Sequence, residues 1–307
     1  CRQKEGMRYV FIVNPAAGKK NPAETVMPMI RAYMDRKRIP YVCHITKRAG
    51  HATELARQEI EKGGDLRIYA VGGDGTFRET VAAAAGNPQV EVGVFPCGSG
   101  DDYIRNFASK ETFLKVEKQL SGKSRPVDLM ETDYGLTVNV GCLGLDAKVA
   151  YHMAKYKRIP FLPGSMAYNL ALLQSLFGRL GNSLQVTVDG ERYLEGKFVF
   201  ALSANGGWYG GGYYAAPEAL VDDGFMEIVL VRVPKLWKIP KMVSLYKKGL
   251  HMEAPEFRGL LEYCRAKEIQ VKSAREAYAT FDGECVRTKH MHCEILPGAL
   301  RFIIPSE

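Results

Sequence analysis

In the first third of the chain, four short apolar runs, Tyr9–Val13, Tyr41–Thr46, Arg67–Val71 and Val90–Phe95, alternate with three amphipathic stretches, Pro22–Arg38, His51–Lys62 and Thr76–Ala85. No other feature restricts the fold so sharply. Val10-Phe11-Ile12-Val13 lacks the polar alternation of a half-exposed strand, so both of its faces need cover. Strands covered on both faces and separated by helices predict a parallel, doubly wound α/β sheet, with ligands beyond the carboxyl ends of the strands. The expected first domain is residues 1–128, and the tail from about residue 297 to 307 is a candidate to rejoin it.

After Ser121 the texture changes to β-rich runs: Leu136–Val140, Leu184–Val188, Phe198–Leu202, Met226–Val233 and Glu268–Val271. Asp189-Gly190 between two runs is a hairpin signal. Residues 129–296 are therefore expected to form a second, mostly antiparallel, β-sandwich-like domain. Helical patches are expected near Asp146–Lys157, Ser165–Phe177 and Lys241–Leu250.

Composition narrows the classes. With 307 residues, 46% hydrophobic and 25% charged, the chain has material for two ordinary cores. Collagenous, disordered and disulfide-scaffold readings are excluded. A formal charge of +8 favours anionic partners without choosing among them. Seven cysteines with no CxxC pair suit a reducing, cytoplasmic compartment. No run approaches the roughly 18 to 20 apolar residues of a membrane-crossing helix, and Cys1–Gly6 is too short and polar to read as a signal peptide.

Three turns follow the apolar runs. Asn14-Pro15-Ala16-Ala17-Gly18-Lys19-Lys20 can aim backbone N–H groups and lysine charge at a phosphate, although it lacks the Walker spacing. Gly72-Gly73-Asp74-Gly75-Thr76 is sharper: its glycines open the backbone to a ligand, and Asp74 beside phosphate asks for a bridging cation or a ribose contact. The plainer reading of Asp74 is a helix cap. Gly98-Ser99-Gly100-Asp101-Asp102 repeats the pattern, with carboxylates that also suit a helix start. In this topology such turns share one rim, so Asp74, Asp102 and the isolated Asp128 together suggest a hydrated Mg²⁺ site.

NPxxG, GGDGT, PxGSGDDY, Val127-Asp128-Leu129, Asp222-Asp223-Gly224 and Phe281-Asp282-Gly283-Glu284 resemble, in order and spacing, the diacylglycerol kinase catalytic family, which includes soluble bacterial lipid kinases, sphingosine kinases and ceramide kinases. The resemblance implies ATP contacts from Asn14, Pro15, Ala16, Ala17, Gly18, Thr46, Gly73, Asp74, Gly75, Thr76, Phe77, Arg78, Glu79 and Ser99. It implies a catalytic Mg²⁺ organised through water by Asp74, Asp102 and Asp128, and a catalytic base at Asp282 or Glu284. It also implies a structural Mg²⁺ at Leu220, Asp223 and Phe225, with a carboxylate only from Asp223. The reaction implied is γ-phosphate transfer to a lipid hydroxyl, diacylglycerol first, with residues 129–296 serving the lipid. Two departures stand out. Asp101 replaces the usual asparagine and adds charge beside the metal, and Phe77-Arg78 replaces the commoner apolar-Asn pair.

A lipid acceptor implies peripheral contact with an anionic membrane. Leu236, Ile239, Met242, Val243, Tyr246 and Leu250 recur near helical spacing among lysines, which suits either an interface or a core-facing helix. The glycine- and aromatic-rich stretch Ser203–Tyr214 reads equally as a lipid entrance or as a turn. The alternatives are an NAD kinase-like small-molecule kinase, which shares GGDGT, and a non-catalytic nucleotide-binding or membrane-associated regulator. Nucleic-acid binding has only net charge behind it and is not expected; a homodimer stays open.

Overall fold

A computed structural model of the chain describes residues 6–156, 170–171, 174–175 and 180–306. The chain divides into two compact units, Cys1–Leu129 with Pro297–Glu307, and Met130–Leu296.

The first unit is built on parallel strands β1 (Arg8–Val13), β2 (Val42–Ile45), β3 (Leu66–Gly72) and β4 (Val90–Pro96), in the order β4-β3-β1-β2. Arg301 and Phe302, near the end of the chain, pair in parallel with Glu91 and Val92 of β4. Between the strands run α1 (Pro22–Thr25), α2 (Met27–Lys37), α3 (His51–Ile60) and α4 (Asp74–Ala84). The apolar runs are buried on both faces as their patterning requires. Phe11, Tyr69 and Phe95 pack with Met27, Ile30 and Met34 of α2. Phe302 touches Phe77, Tyr103, Phe107 and Phe113, so the returning tail fills an aromatic cluster.

The second unit is antiparallel. Its main strands are β5 (Lys123–Thr132, shared with the first unit), β6 (Gly135–Thr137), β7 (Val140–Gly144), β8 (Asn182–Val188), β9 (Arg192–Ala204), a short β10 and β11 pair (Trp208–Tyr209 and Tyr213–Tyr214), β12 (Met226–Arg232), β13 (Leu261–Ala266), β14 (Glu268–Phe281) and β15 (Glu284–Ile304). Residues alternate between two cores: Met226, Ile228 and Leu230 of β12 join one, Val229 and Val231 the other. That double burial is why Met226–Val233 reads as an unbroken apolar run.

Among the described residues this unit carries α7 (Leu145–Tyr156), helical residues at 170–171 and 174–175, and α8 (Ile239–Lys247); the first unit also holds α5 (Lys110–Leu114) and α6 (Val116–Leu120). The run expected as one strand over Leu136–Val140 is split between β6 and β7, because the backbone of Val138, Asn139 and Val140 turns to meet a side chain described below. Most of the helix expected over Ser165–Phe177 lies outside the described residues. Ser203–Tyr214 ends in the β10–β11 hairpin, closed by three glycines at positive φ and by Trp208 stacked on Tyr214 at 4.3 Å. The packing favours the turn reading of that segment.

Candidate nucleotide and carboxylate site

The loops after β1, β3 and β4 close on one another. Gly18 has φ of 73°, and a Cβ there would stand 2.1 Å from the carbonyl oxygen of Cys97, so a side chain is excluded twice over. At Gly73 a Cβ would lie 3.2 Å from the Cα of Gly98. Asn14 fastens the loop after β1 to the loop after β3: its Nδ2 donates to Thr76 Oγ1 at 3.0 Å, while its Oδ1 accepts from the Ala16 N–H. Pro15 and Ala17 complete that loop, and Thr46 is pinned to β1 through its N–H and the Val13 carbonyl.

Within Gly73–Glu79 the roles diverge. Gly73 caps α4, and Asp74 is its first residue, where a carboxylate complements the helix dipole. Gly75 is exposed and unobstructed. Thr76 and Phe77 are buried, Phe77 against Tyr103 at 5.4 Å. Arg78 is half-buried. Glu79 accepts hydrogen bonds from the N–H groups of Gly50 and Ala52, capping α3 from outside. Thr76, Phe77 and Glu79 thus hold the loop's shape, Gly75 bares its backbone, and Ser99 stands exposed on the neighbouring turn.

The carboxylates gather around Gly100. A Cβ there would lie 2.8 Å from Asp74 Oδ2 and 3.5 Å from Asp102 Oδ2, so two anionic oxygens face the same small space. Asp74 Oδ2 accepts from the Asp101 N–H at 3.0 Å, and Asp102 Oδ1 lies 3.3 Å from Arg105 Nε. Asp101 adopts φ of 48°, a left-handed conformation that aspartate and asparagine tolerate better than most residues. Its carboxylate turns away from the pair, accepting from the Gly98 N–H and from Lys110 Nζ. The extra charge expected at Asp101 is thus paired with a lysine that no motif signalled.

Asp128 is 2% exposed, and its Oδ1 accepts from the Gly298 N–H at 2.7 Å. Among the described residues no three carboxylate, imidazole or thiol groups stand close enough to enclose an ion. Of the expected trio, Asp74 and Asp102 converge beside Gly100, and Asp128 binds the Gly298 N–H. That convergence fits Mg²⁺, which is usually held by one or two carboxylates together with substrate phosphates and water.

At the residues expected to hold a structural Mg²⁺, Leu220, Asp223 and Phe225, protein groups engage the one carboxylate. Asp223 gives one oxygen to the Phe225 N–H and the other to the guanidinium of Arg265. Arg265 also lies 3.5 Å from Glu227 Oε1 and stacks on Phe225 at 4.6 Å, while Leu220 is 59% exposed. A side-chain cation already balances the only carboxylate of the set. Nearby, burial pushes the Glu227 carboxyl up to about 7 despite the attraction of Arg265.

Asp282 and Glu284, the candidate bases, have unlike surroundings. Asp282 and Gly283, at φ of 47° and 90°, make the two-residue turn joining β14 to β15, with Phe281 paired to Glu284. The Asp282 carboxylate accepts from three backbone N–H groups, Val138 at 2.6 Å and Asn139 and Val140 at 3.0 Å. It holds the segment between β6 and β7. Glu284 is exposed at the start of β15.

Sequence reasoning missed the half-buried carboxyl of Asp146, in the first turn of α7. Burial raises it to about 6, countered by a hydrogen bond from the Tyr209 hydroxyl. Its only signal was an acid between apolar residues.

The comparisons agree with this architecture. The model of the diacylglycerol kinase catalytic domain matches residues 8–132, and that of the YegS C-terminal NAD kinase beta sandwich-like domain matches residues 139–304. Fold and matches together define a lipid kinase, a phosphotransferase with an alcohol acceptor. The chain belongs to the diacylglycerol kinase catalytic family. It is 24% identical over 279 residues to the diacylglycerol kinase of Staphylococcus carnosus, covering 90% of this chain and 88% of the relative. It is 28% identical over 247 residues to a YegS-like lipid kinase of Shewanella frigidimarina, covering 78% and 76%. A solved diacylglycerol kinase structure from Bacillus anthracis shares the fold at a TM-score of 0.72, with 20% identity over 98% of each chain. No helix among the described residues is long and apolar enough to cross a membrane.

Proposed function

We propose that the protein transfers the γ-phosphate of ATP to the hydroxyl of diacylglycerol, giving phosphatidic acid and ADP. The observation that carries the reading is the convergence of Asp74 and Asp102 on Gly100, at the meeting of three glycine-bearing loops. Relatives named for the same reaction along most of the chain support the acceptor.

Phosphoryl transfer asks mainly for positioning and neutralisation of charge. Backbone N–H groups of Gly18 and of Gly73 to Gly75 would cradle the phosphates, with Asn14 and Thr76 fixing how the two loops meet. Asp74 and Asp102 would hold Mg²⁺, which when bound supplies positive charge against the phosphate oxygens. Asp128 would act at one remove, by securing the turn at Gly298. Of the two candidate bases, Glu284 suits proton acceptance, because Asp282 already spends its oxygens on three N–H groups. The lipid hydroxyl then attacks in line as it gives up its proton, and no phosphoenzyme forms.

The test is incubation with γ-labelled ATP, Mg²⁺ and a total lipid extract, followed by identification of the labelled product. The expected product is phosphatidic acid. Label on NAD and none on lipid would establish the small-molecule alternative, and ATP binding without transfer to either would establish the regulator.

A further inference from the structure

The lysine-rich stretch ahead of residue 250 splits into two parts. Helix α8 turns Ile239, Met242 and Tyr246 into the core of its unit. Met242 and Tyr246, which carried the expected stripe, are therefore spent on folding. The 3₁₀ turn just before it, Leu236–Lys238, buries none of its residues. Leu236 is 66% exposed and Trp237 73% exposed, side by side on one turn.

Scattered apolar residues on a surface need no account, but adjacent large ones held outward have no folding benefit. Their surroundings identify a partner. From Lys235 to Lys248 the chain carries five lysines, Lys235, Lys238, Lys241, Lys247 and Lys248, and no acidic residue. Lys235 and Lys238 bracket the Leu-Trp pair, with Lys238 Nζ 5.6 Å from the Trp237 ring. Lys241, by contrast, is engaged with Glu256. Tryptophan beside leucine between two lysines matches a bilayer surface: the indole favours the boundary between headgroups and chains, and ammonium groups favour anionic headgroups.

We infer that the Leu236–Lys238 turn is a wedge that inserts into an anionic phospholipid surface, with Lys235 and Lys238 on the headgroups and Leu236 and Trp237 in the upper chain region. The inference rests on the lipid-kinase reading in one respect: an acceptor resident in a bilayer gives the enzyme a reason to dock there.

The test uses the full chain and vesicles of phosphatidylcholine, alone or mixed with phosphatidylglycerol. Trp208 is the only other tryptophan, so a Trp208→Phe background makes Trp237 the reporter. The expected results are binding to the mixed vesicles, quenching of Trp237 by chain-brominated lipid, and about a hundredfold weaker partitioning for Leu236→Ser with Trp237→Ser. Lys235→Ala with Lys238→Ala should weaken binding about twentyfold, and the difference should shrink at high salt. Tyr193→Ser, at an exposed aromatic beside glutamates, should change nothing.

Unchanged partitioning of the Leu236/Trp237 variant, or an unquenched Trp237, overturns the wedge. Binding to phosphatidylcholine alone that equals binding to the mixture overturns its charge component. Short-chain diacylglycerol in detergent micelles separates the two readings. If the wild type phosphorylates it and the variant keeps both that activity and its vesicle binding, only the wedge fails. If the wild type binds vesicles yet phosphorylates no lipid, only the kinase reading fails.

Discussion

Asp101-Asp102 in the first unit and Asp222-Asp223 in the second are both adjacent aspartates next to glycine, yet their carboxylates meet different cations. In the first, Lys110 takes Asp101, and Asp102 Oδ2 stays directed with Asp74 at the space beside Gly100. In the second, Arg265 takes Asp223 itself and reaches Glu227 as well. The difference teaches that an acidic motif becomes a metal candidate only where the nearest side-chain cation leaves an oxygen pointing at open space. A guanidinium on the carboxylate turns the same motif into a structural ion pair.

Charge-removing substitutions should separate the two turns most widely. Asp74→Asn and Asp102→Asn are expected to lower kcat/KM for lipid phosphorylation by on the order of 10² to 10⁴, as loss of electrostatic support for the transition state does elsewhere. Asp223→Asn should stay within about threefold, because only an ion pair is lost. Steady-state kinetics on one lipid decide it. An Asp223 variant that falls as far as the Asp74 variant would break the comparison.

Arg265 offers a middle-sized effect, read in stability. Arg265→Met leaves Asp223 and Glu227 without their cation and should cost about 1 kcal/mol, discounted because the guanidinium is half-exposed. The melting temperature of the wild type should be indifferent to chelator, whereas a fall on Mg²⁺ removal would restore the structural-metal reading. The pH profile sharpens the point. The folded-state value of Glu227, about 7, lies above its ordinary 4.5, so its stability contribution is full below the unfolded value and is lost as pH rises through 7. Glu227→Gln should flatten that decline across the same window.

The smallest effect concerns Lys110. Lys110→Met frees the Asp101 charge one residue from Asp102 and should raise the KM for MgATP severalfold with little change in kcat. Adding Asp101→Asn should restore the wild-type KM. A double variant no better than the single one would mean that Lys110 acts by packing alone.

Much of the first unit was legible because its signals are local. An apolar run without alternation needs cover on both faces, and glycines at Gly18, Gly73 and Gly100 mark where backbones or carboxylates press together. The helix start at Asp74 was readable too, though with Gly73 as the cap. Elsewhere local patterns left two readings open. The lysine-rich stripe was correctly periodic, but its period belongs to the core-facing helix while the exposed pair sits on the turn before it. Asp282-Gly283 carries the ordinary signature of a hairpin turn, and the structure places it in one.

The sequence by itself determined where strands, helices and glycine-dependent loops fall, because periodicity and backbone conformation depend on near neighbours along the chain. Only the tertiary structure decided what each carboxylate does. Asp223 meets a guanidinium 42 residues away, Asp128 meets an N–H group 170 residues away, and Asp282 meets amides more than 140 residues back. A charge is governed by whatever lies within a few ångströms of it, and that neighbourhood exists only once distant segments have packed.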